Sequence, residues 1–342
     1  MAKSGLTAPR TTLPAGYKVP AEDLPHSHTF MQWPNSRKVY SNHAFLRMTQ
    51  QTIADIANTI VEFEPVIMLA DKAQHGRIRK LVSGNVELWD IPTEDLWCRD
   101  AGPLFAVHKT KGLAVSNLNF NGWGRKQAHA HDAKIAEYVA ERLGLPIYDS
   151  GLHGEAGGVE QDGHGTLMAH ESSWVINNRN PMSKAEVEAR LLAAFGASNM
   201  VWAKGIKGQD ITDYHIDSLA RFVGQDQVLI QLPHAPDPAD PWSIAAFETY
   251  DALKAAKLDV TVIAEPTNPR IKSYDFVATY ANYYVCNGAV ITAEFGDRKT
   301  DKIAKTALQN LYPGREVITL NVDTLGELGG GIHCATQQQP AT

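Results

Sequence analysis

The sequence is short of the features that mark several common protein classes. Its 342 residues hold three cysteines, Cys98, Cys286 and Cys334, widely spaced and without a CxxC pair. That rules out a disulfide framework and gives no thiol motif for zinc or redox work. No apolar run approaches the roughly 18 residues that cross a bilayer. The opening stretch MAKSGLTAPRTTLPAGYKVP lacks the apolar centre of a secretory leader. Positive charge is in deficit, 32 Lys and Arg against 38 Asp and Glu for a net charge of −6, which argues against a phosphate-backbone partner. No GxGxxG follows the first strand-like run, because Gly151, Gly154, Gly157 and Gly158 have the wrong spacing and no helix after them. The expectation is a soluble protein of a reducing, cytoplasmic compartment, with no membrane and no nucleic acid among its partners. Export by a leader removed before the first residue is the alternative.

What is present is ordinary globular composition, 44% apolar and 20% charged, enough to build a sizeable core. Residues 1–30 are rich in Pro, Thr and Ser and read as an arm along the surface, followed by one catalytic domain over 31–342. Five segments then carry helical periodicity: 42–63, 129–143, 183–195, 243–256 and 300–311. The third is the best bounded, with Ser183 and Glu186 forming a capping box and Gly196 available for the left-handed end position. Each is followed by a short apolar run of strand character: PVIMLA, LPIYD, NMVWA, LDVTVIA and EVITLNV. Alternating β-rich stretches fill the intervals. A doubly wound sheet is the base-rate reading of alternating helix and strand. Strands outnumber helices here, however, and many are hairpin-like, so an α/β ring of five ββαβ units fits better.

The residues beyond each short strand carry the chemistry. They are Asp100 in TEDLWCRDAGP, Glu155 in HGEAGG, His215 and Asp217 in DITDYHID, Asn282 in ATYANYYVCN and Cys334 in GELGGGIHC. In a ring of pseudo-equivalent units such positions converge on the axis, gathering a thiol, an imidazole, an amide and three carboxylates. Carboxylates beside a thiol raise its pKa and suit ordinary acyl transfer badly. They make sense for a cationic substrate, because a planar guanidinium presents forked donors that two carboxylates accept, leaving its carbon facing sulfur. Read as a strand, HID points His215 and Asp217 to the same side.

The ordered motifs WCRDAGP, NFNGWG, EAGGVEQDGHGT, NNRNP, TDYHID, NYY, FGDRKTD, YPGREV and GGGIHCATQQQP resemble those of the agmatine deiminase and bacterial peptidyl-arginine deiminase family. That family belongs to the guanidino-modifying pentein superfamily, whose fold is an α/β-propeller. The resemblance implies Cys334 as nucleophile, His215 as general acid and base, Glu155 as its partner, Asp100 and Asp217 as guanidinium ligands, and Trp97 beside the site. It implies cofactor-free hydrolysis of a cationic guanidino compound through a thiouronium intermediate. Agmatine, a precursor of putrescine in polyamine synthesis, is the first choice, and peptidyl-arginine, another guanidino compound or amidino transfer are the alternatives. A homodimer is the family-level expectation. The usual Gly before the catalytic His is Tyr214 here, which bears on pocket shape and, with Asn282, on substrate contact.

Plainer readings compete. A lone Cys near a C-terminus is most often a buried apolar residue, and Cys98 and Cys286 read as packing residues in strands. His26 and His28 read as solvated residues of the arm. His129 and His131, two apart on a helix, do not share a face, and no third ligand accompanies His215 and Asp217, so no metal site is assigned. Trp97 and Trp123 read first as core, with Trp97 moved to the pocket by the resemblance. Asp162 and Asp297 read as turn residues. A non-catalytic ring-shaped binding protein is the rival from outside the enzymes.

Overall fold

A computed structural model describes residues 12–342. Five small sheets share one plan, an antiparallel hairpin, a helix, and a third strand returning parallel to the second hairpin strand. One module runs Leu104–His108, Gly112–Asn117, helix Ile135–Leu143 and Ile147–Asp149. The next runs Val159–Gln161, Thr166–His170, helix Lys184–Phe195 and Asn199–Ala203. The third runs Ala220–Gly224, Gln227–Leu232, helix Pro241–Ala255 and Asp259–Ala264. The fourth runs Tyr284–Cys286, Ala289–Ala293, helix Arg298–Leu311 and Glu316–Leu320. The fifth is made from both ends of the chain: Thr336–Pro340 pairs antiparallel with His26–Gln32, helix His43–Ile60 follows, and Val66–Ala70 returns parallel. This is the pentein arrangement.

The helices start where the sequence supplies caps. Asn42 accepts from the N–H groups of Ala44 and Phe45, a cap worth about 1 kcal/mol. Ser183 and Glu186 form the full capping box, and Gly196 closes that helix at φ 65. Asp240 caps a helix that opens on Pro241. Ile53, Ile56 and Ile60 of the first long helix are fully buried against the all-apolar strand Val66–Ala70. Among the described residues, no helix is long and apolar enough to cross a membrane.

Two expectations need correcting. The expected surface arm covers residues 1–30, of which 1–11 lie outside the described residues. Beyond them the segment is part of the fold: Leu13, Tyr17 and Val19 are buried, Tyr17–Lys18 pairs with Leu104–His108, and His26–Gln32 is an inner strand of its sheet. Apolar residues spaced two apart in a Pro-rich stretch can add a strand without any helical period. His26 is accordingly buried, not solvated, with Nδ1 3.1 Å from Glu64 Oε1. Cys98, expected in a strand, opens the short helix Cys98–Ala101, while Cys286 does end a strand.

Candidate active site

In every module the residues singled out from sequence stand just before the first hairpin strand. Asp100 precedes Leu104–His108, Glu155 precedes Val159–Gln161, and Asp217 precedes Ala220–Gly224. Asn282 precedes Tyr284–Cys286 and Cys334 precedes Thr336–Pro340. A cavity of about 510 Å³ is lined by Cys334, His215, Asp100, Asp217, Trp97, Trp123 and Tyr214, among others. Three hairpin starts thus deliver a sulfur, an imidazole and two carboxylates to one space, and the other two place Glu155 and Asn282 behind them.

The segment holding His215 and Asp217 is not the strand that alternation suggested. His215 is extended and caps a 3₁₀ turn, Ile216–Ser218. Because His215 is extended and outside the turn, its side chain and that of Asp217 both still line the cavity. The approach is strained: Asp213 and Tyr214 hold φ of 59 and 69, a region costly for residues with bulky side chains. Glycine is unstrained at such a position, whereas Tyr214 is held there by packing. Its ring stacks on His170 at 4.6 Å and meets Trp242 edge-on at 4.9 Å. Its N–H donates to Asp210 Oδ1 at 3.0 Å.

His215 is fixed from two sides. Nε2 lies 3.1 Å from Glu155 Oε2, and Nδ1 lies 3.7 Å from Asp100 Oδ1. Burial disfavours the imidazolium, but Asp100 and the bond to Glu155 outweigh it and raise His215 to about 9. Glu155 is in turn held by Arg179, whose Nε is 2.9 Å away and whose Nη1 reaches Asp213 at 2.7 Å. Arg179 therefore ties the Glu155 module to the strained turn carrying His215. Burial pushes Asp100 up to about 6 against the pull of His215. Trp123 Nε1 donates to Asp100 Oδ2 at 2.8 Å.

Cys334 is buried, with Sγ 3.1 Å from Asn282 Nδ2 and 3.5 Å from Asp217 Oδ2. Burial, then the charges of Asp217 and Asp100, push the thiol well above its ordinary value. Both influences favour the neutral thiol over the thiolate. Asp217 is fully buried; burial raises its carboxyl, but the bond and charge of His333 outweigh this and hold it below the usual range. Its Oδ1 has no hydrogen-bond partner among the described residues. An unpartnered buried carboxylate oxygen is costly unless a donor arrives.

Most of the sequence-selected residues come together. Trp97, Asp100, Tyr214, His215, Asp217 and Cys334 line the cavity, and Glu155 sits behind His215. Asn282, expected against substrate, is not among the lining residues. Its amide donates to the sulfur and its Oδ1 accepts from Cys334 N–H at 3.2 Å, so it orients the Cys334 side chain. Trp123, read as core, is buried in the main core and also lines the cavity. The signal was its place between Gly122 and Gly124, where Trp123 itself takes φ 54, ψ 47, a bend that re-aims the ring. Arg179, Glu22 and His333 had no comparable local signal.

Gly157 marks the focus of the site. A Cβ added there would lie 2.7 Å from Asp100 Oδ1, 2.9 Å from His215 Nδ1 and 3.1 Å from Asp217 Oδ2. Gly157→Ala is expected to fold, since no positive φ is required, yet to lower kcat/KM by about 100-fold through displaced ligands. Steady-state kinetics beside a melting curve checks this; unchanged kinetics would show that the three groups do not share a ligand.

The comparisons with known proteins agree with this geometry. A family model described as Porphyromonas-type peptidyl-arginine deiminase matches residues 18–340. The chain is 33% identical to a Streptomyces avermitilis protein named "Putative agmatine deiminase" over 95% of this chain and 97% of that one. A Streptomyces coelicolor protein of the same name is 32% identical over 95% and 99%. Among solved structures, an agmatine deiminase of Enterococcus faecalis superposes with a TM-score of 0.86 at 22% identity, covering 97% of this chain and 99% of that one. One of C. jejuni with substrate bound gives 0.85 at 24%, covering 95% and 96%. These likenesses show the pentein fold.

Proposed function

The chain belongs to the Porphyromonas-type peptidyl-arginine deiminase family, and from that premise we propose that it hydrolyses the guanidino group of agmatine to N-carbamoylputrescine and ammonia. The observation that carries the reading is the shared cavity, where Cys334 and His215 stand beside two carboxylates, one with an oxygen awaiting a donor.

The reaction runs in two halves. Asp100 and Asp217 accept N–H bonds from the guanidinium, and the incoming cation offsets the negative charge that keeps Cys334 protonated. The thiol proton leaves to solvent as substrate enters. Thiolate attacks the guanidinium carbon, and the imidazolium of His215 protonates one terminal amino group. The C–N bond breaks, ammonia departs, and a thiouronium cation remains on sulfur. Water then adds to that carbon. Its first proton goes to His215 and its second returns to sulfur as the C–S bond breaks, leaving a neutral ureido product. The sum is one water consumed and one ammonium released. Trp97 and Trp123 narrow the space around the planar group, and Glu155 holds the imidazole and favours its charged form.

The cavity wall favours agmatine over free arginine. Besides Asp100 and Asp217 it carries Asp210, Asp240, Glu265, Asp275 and Glu327, and no Lys or Arg among the described residues. An α-carboxylate would meet like charge there, whereas a second cation is welcome. A panel of agmatine, arginine, arginyl peptides and methylated arginines, scored for ureido product and ammonia without added amine, tests the assignment. Agmatine is expected to exceed arginine by at least about 100-fold in kcat/KM. A preference for arginine would refute the substrate, and a requirement for an amine acceptor would redirect the reaction to amidino transfer.

A further inference from the structure

His333 adjoins the nucleophile yet does not line the cavity. Its Nδ1 lies 2.7 Å from Asp217 Oδ2 and its Nε2 lies 2.9 Å from Glu22 Oε2. A carboxylate oxygen only accepts, so a ring nitrogen carrying hydrogen donates to the carboxylate beside it. Glu22 belongs to the chain-start segment and is itself held firmly. Its Oε2 also takes Arg99 Nη2 at 3.1 Å, and its Oε1 takes Arg221 Nη2 at 3.0 Å and Val285 N–H at 3.0 Å. Burial raises Glu22, but Arg221, His333 and Arg99 together hold it well below the usual carboxylate range. The other charges facing this line are Glu160, whose Oε1 is 3.9 Å from His333 Nε2, and Arg221 and His215, which act on Asp217. Asp100 and the Cys334 sulfur stand on its cavity side.

We propose that Glu22 and His333 are positioning residues that hold the Asp217 carboxylate through Oδ2, so that it meets the substrate cation correctly aimed. The inference rests on the guanidinium-binding role given to Asp217 above. The geometry supports it at each link. Oδ2 is taken by His333 and also faces the Cys334 sulfur at 3.5 Å, while Oδ1 has no partner among the described residues. A buried carboxylate without a counter-donor takes up a proton and loses its hold on cations. A rigid second layer of this kind fixes the orientation of a first-layer ligand.

The test uses two alkylating probes of one shape at pH 7.5: cationic 2-chloroacetamidine and neutral 2-chloroacetamide. With each, the Cys334 sulfur displaces chloride, forming C–S as C–Cl breaks, and the modified peptide is quantified by mass spectrometry. The ratio of the two rates cancels changes in thiol reactivity and access, leaving the hold on a planar cation. His333→Leu and Glu22→Gln are each expected to lower the ratio at least about fivefold. His333→Asn, whose amide N–H takes the place of Nδ1, is expected to stay within about twofold of the parent. Glu22→Gln should add nothing in the His333→Leu background, because residues acting in series are not additive. An unchanged ratio, equal losses in the Leu and Asn variants, or additive effects would each overturn the proposal. Should His333→Leu not fold, Glu22→Gln alone must still lower the ratio. Absence of guanidino turnover by the parent would sink the proposed reaction but not this measurement, so the two failures are distinguishable.

Discussion

Cys334→Ser is expected to lower kcat at least about 10,000-fold while leaving the fold and the hold on substrate intact. The side chain is buried and its volume barely changes, and Asn282 and Asp217 can bond a hydroxyl as they bond the thiol. The cavity's carboxylates are untouched. A serine hydroxyl is a far weaker nucleophile, and the negative charge of Asp100 and Asp217 opposes an alkoxide even more than a thiolate. The variant should therefore bind agmatine without consuming it. Added agmatine should raise its melting temperature in proportion to ligand binding, with no ammonia formed over the same hours. Ammonia release at the parent rate would eliminate the thiol from the chemistry. Absence of any thermal shift would instead count against the carboxylate clamp.

The second large effect concerns His215. His215→Gln is expected to lower kcat by about 1,000-fold, within the usual contribution of a positioned acid and base. The pH profile identifies the role. His215 is raised to about 9 and Asp100 to about 6. The departing ammonia needs the imidazolium, so parent kcat/KM should fall as pH rises past about 9. Cation capture needs ionised carboxylates, so it should also fall as pH drops below about 6. In the glutamine variant the alkaline fall should vanish and the acid fall persist. An alkaline limb that survives would assign it to another group. The sign for stability is the same: a histidine raised above its unfolded value of about 6.5 contributes fully below that pH. That contribution is lost as pH climbs through about 9.

The fold was readable where physics is local. Helix periods, caps such as Ser183 with Glu186, and the five short strands all rest on neighbours in sequence, and the structure keeps most of them within a few residues. The helix read from residue 129, however, begins only at Ile135 and leaves His129 and His131 outside it. The modular spacing then made the convergence of Asp100, Glu155, Asp217, Asn282 and Cys334 readable as well. What was not readable depends on partners far along the chain. The burial of residues 12–30 comes from an antiparallel pairing across more than 300 positions, Thr336 with Met31. Arg179 gains its meaning only when Glu155 and Asp213 close on it, and His333 only between Glu22 and Asp217. The HID segment was misjudged because alternation was read from three residues, too few to separate a strand from a single turn of 3₁₀ helix.

The module made from both chain ends bears on how the protein comes into being. His26–Gln32 leaves the ribosome more than 300 residues before its pairing partner Thr336–Pro340. Cys334 sits on the link to that late strand. During synthesis an inner strand therefore waits with one edge uncovered, and the Cys334 sulfur is not yet in place. The module closes as a clasp, and the clasp is also the moment at which the Cys334 sulfur is delivered.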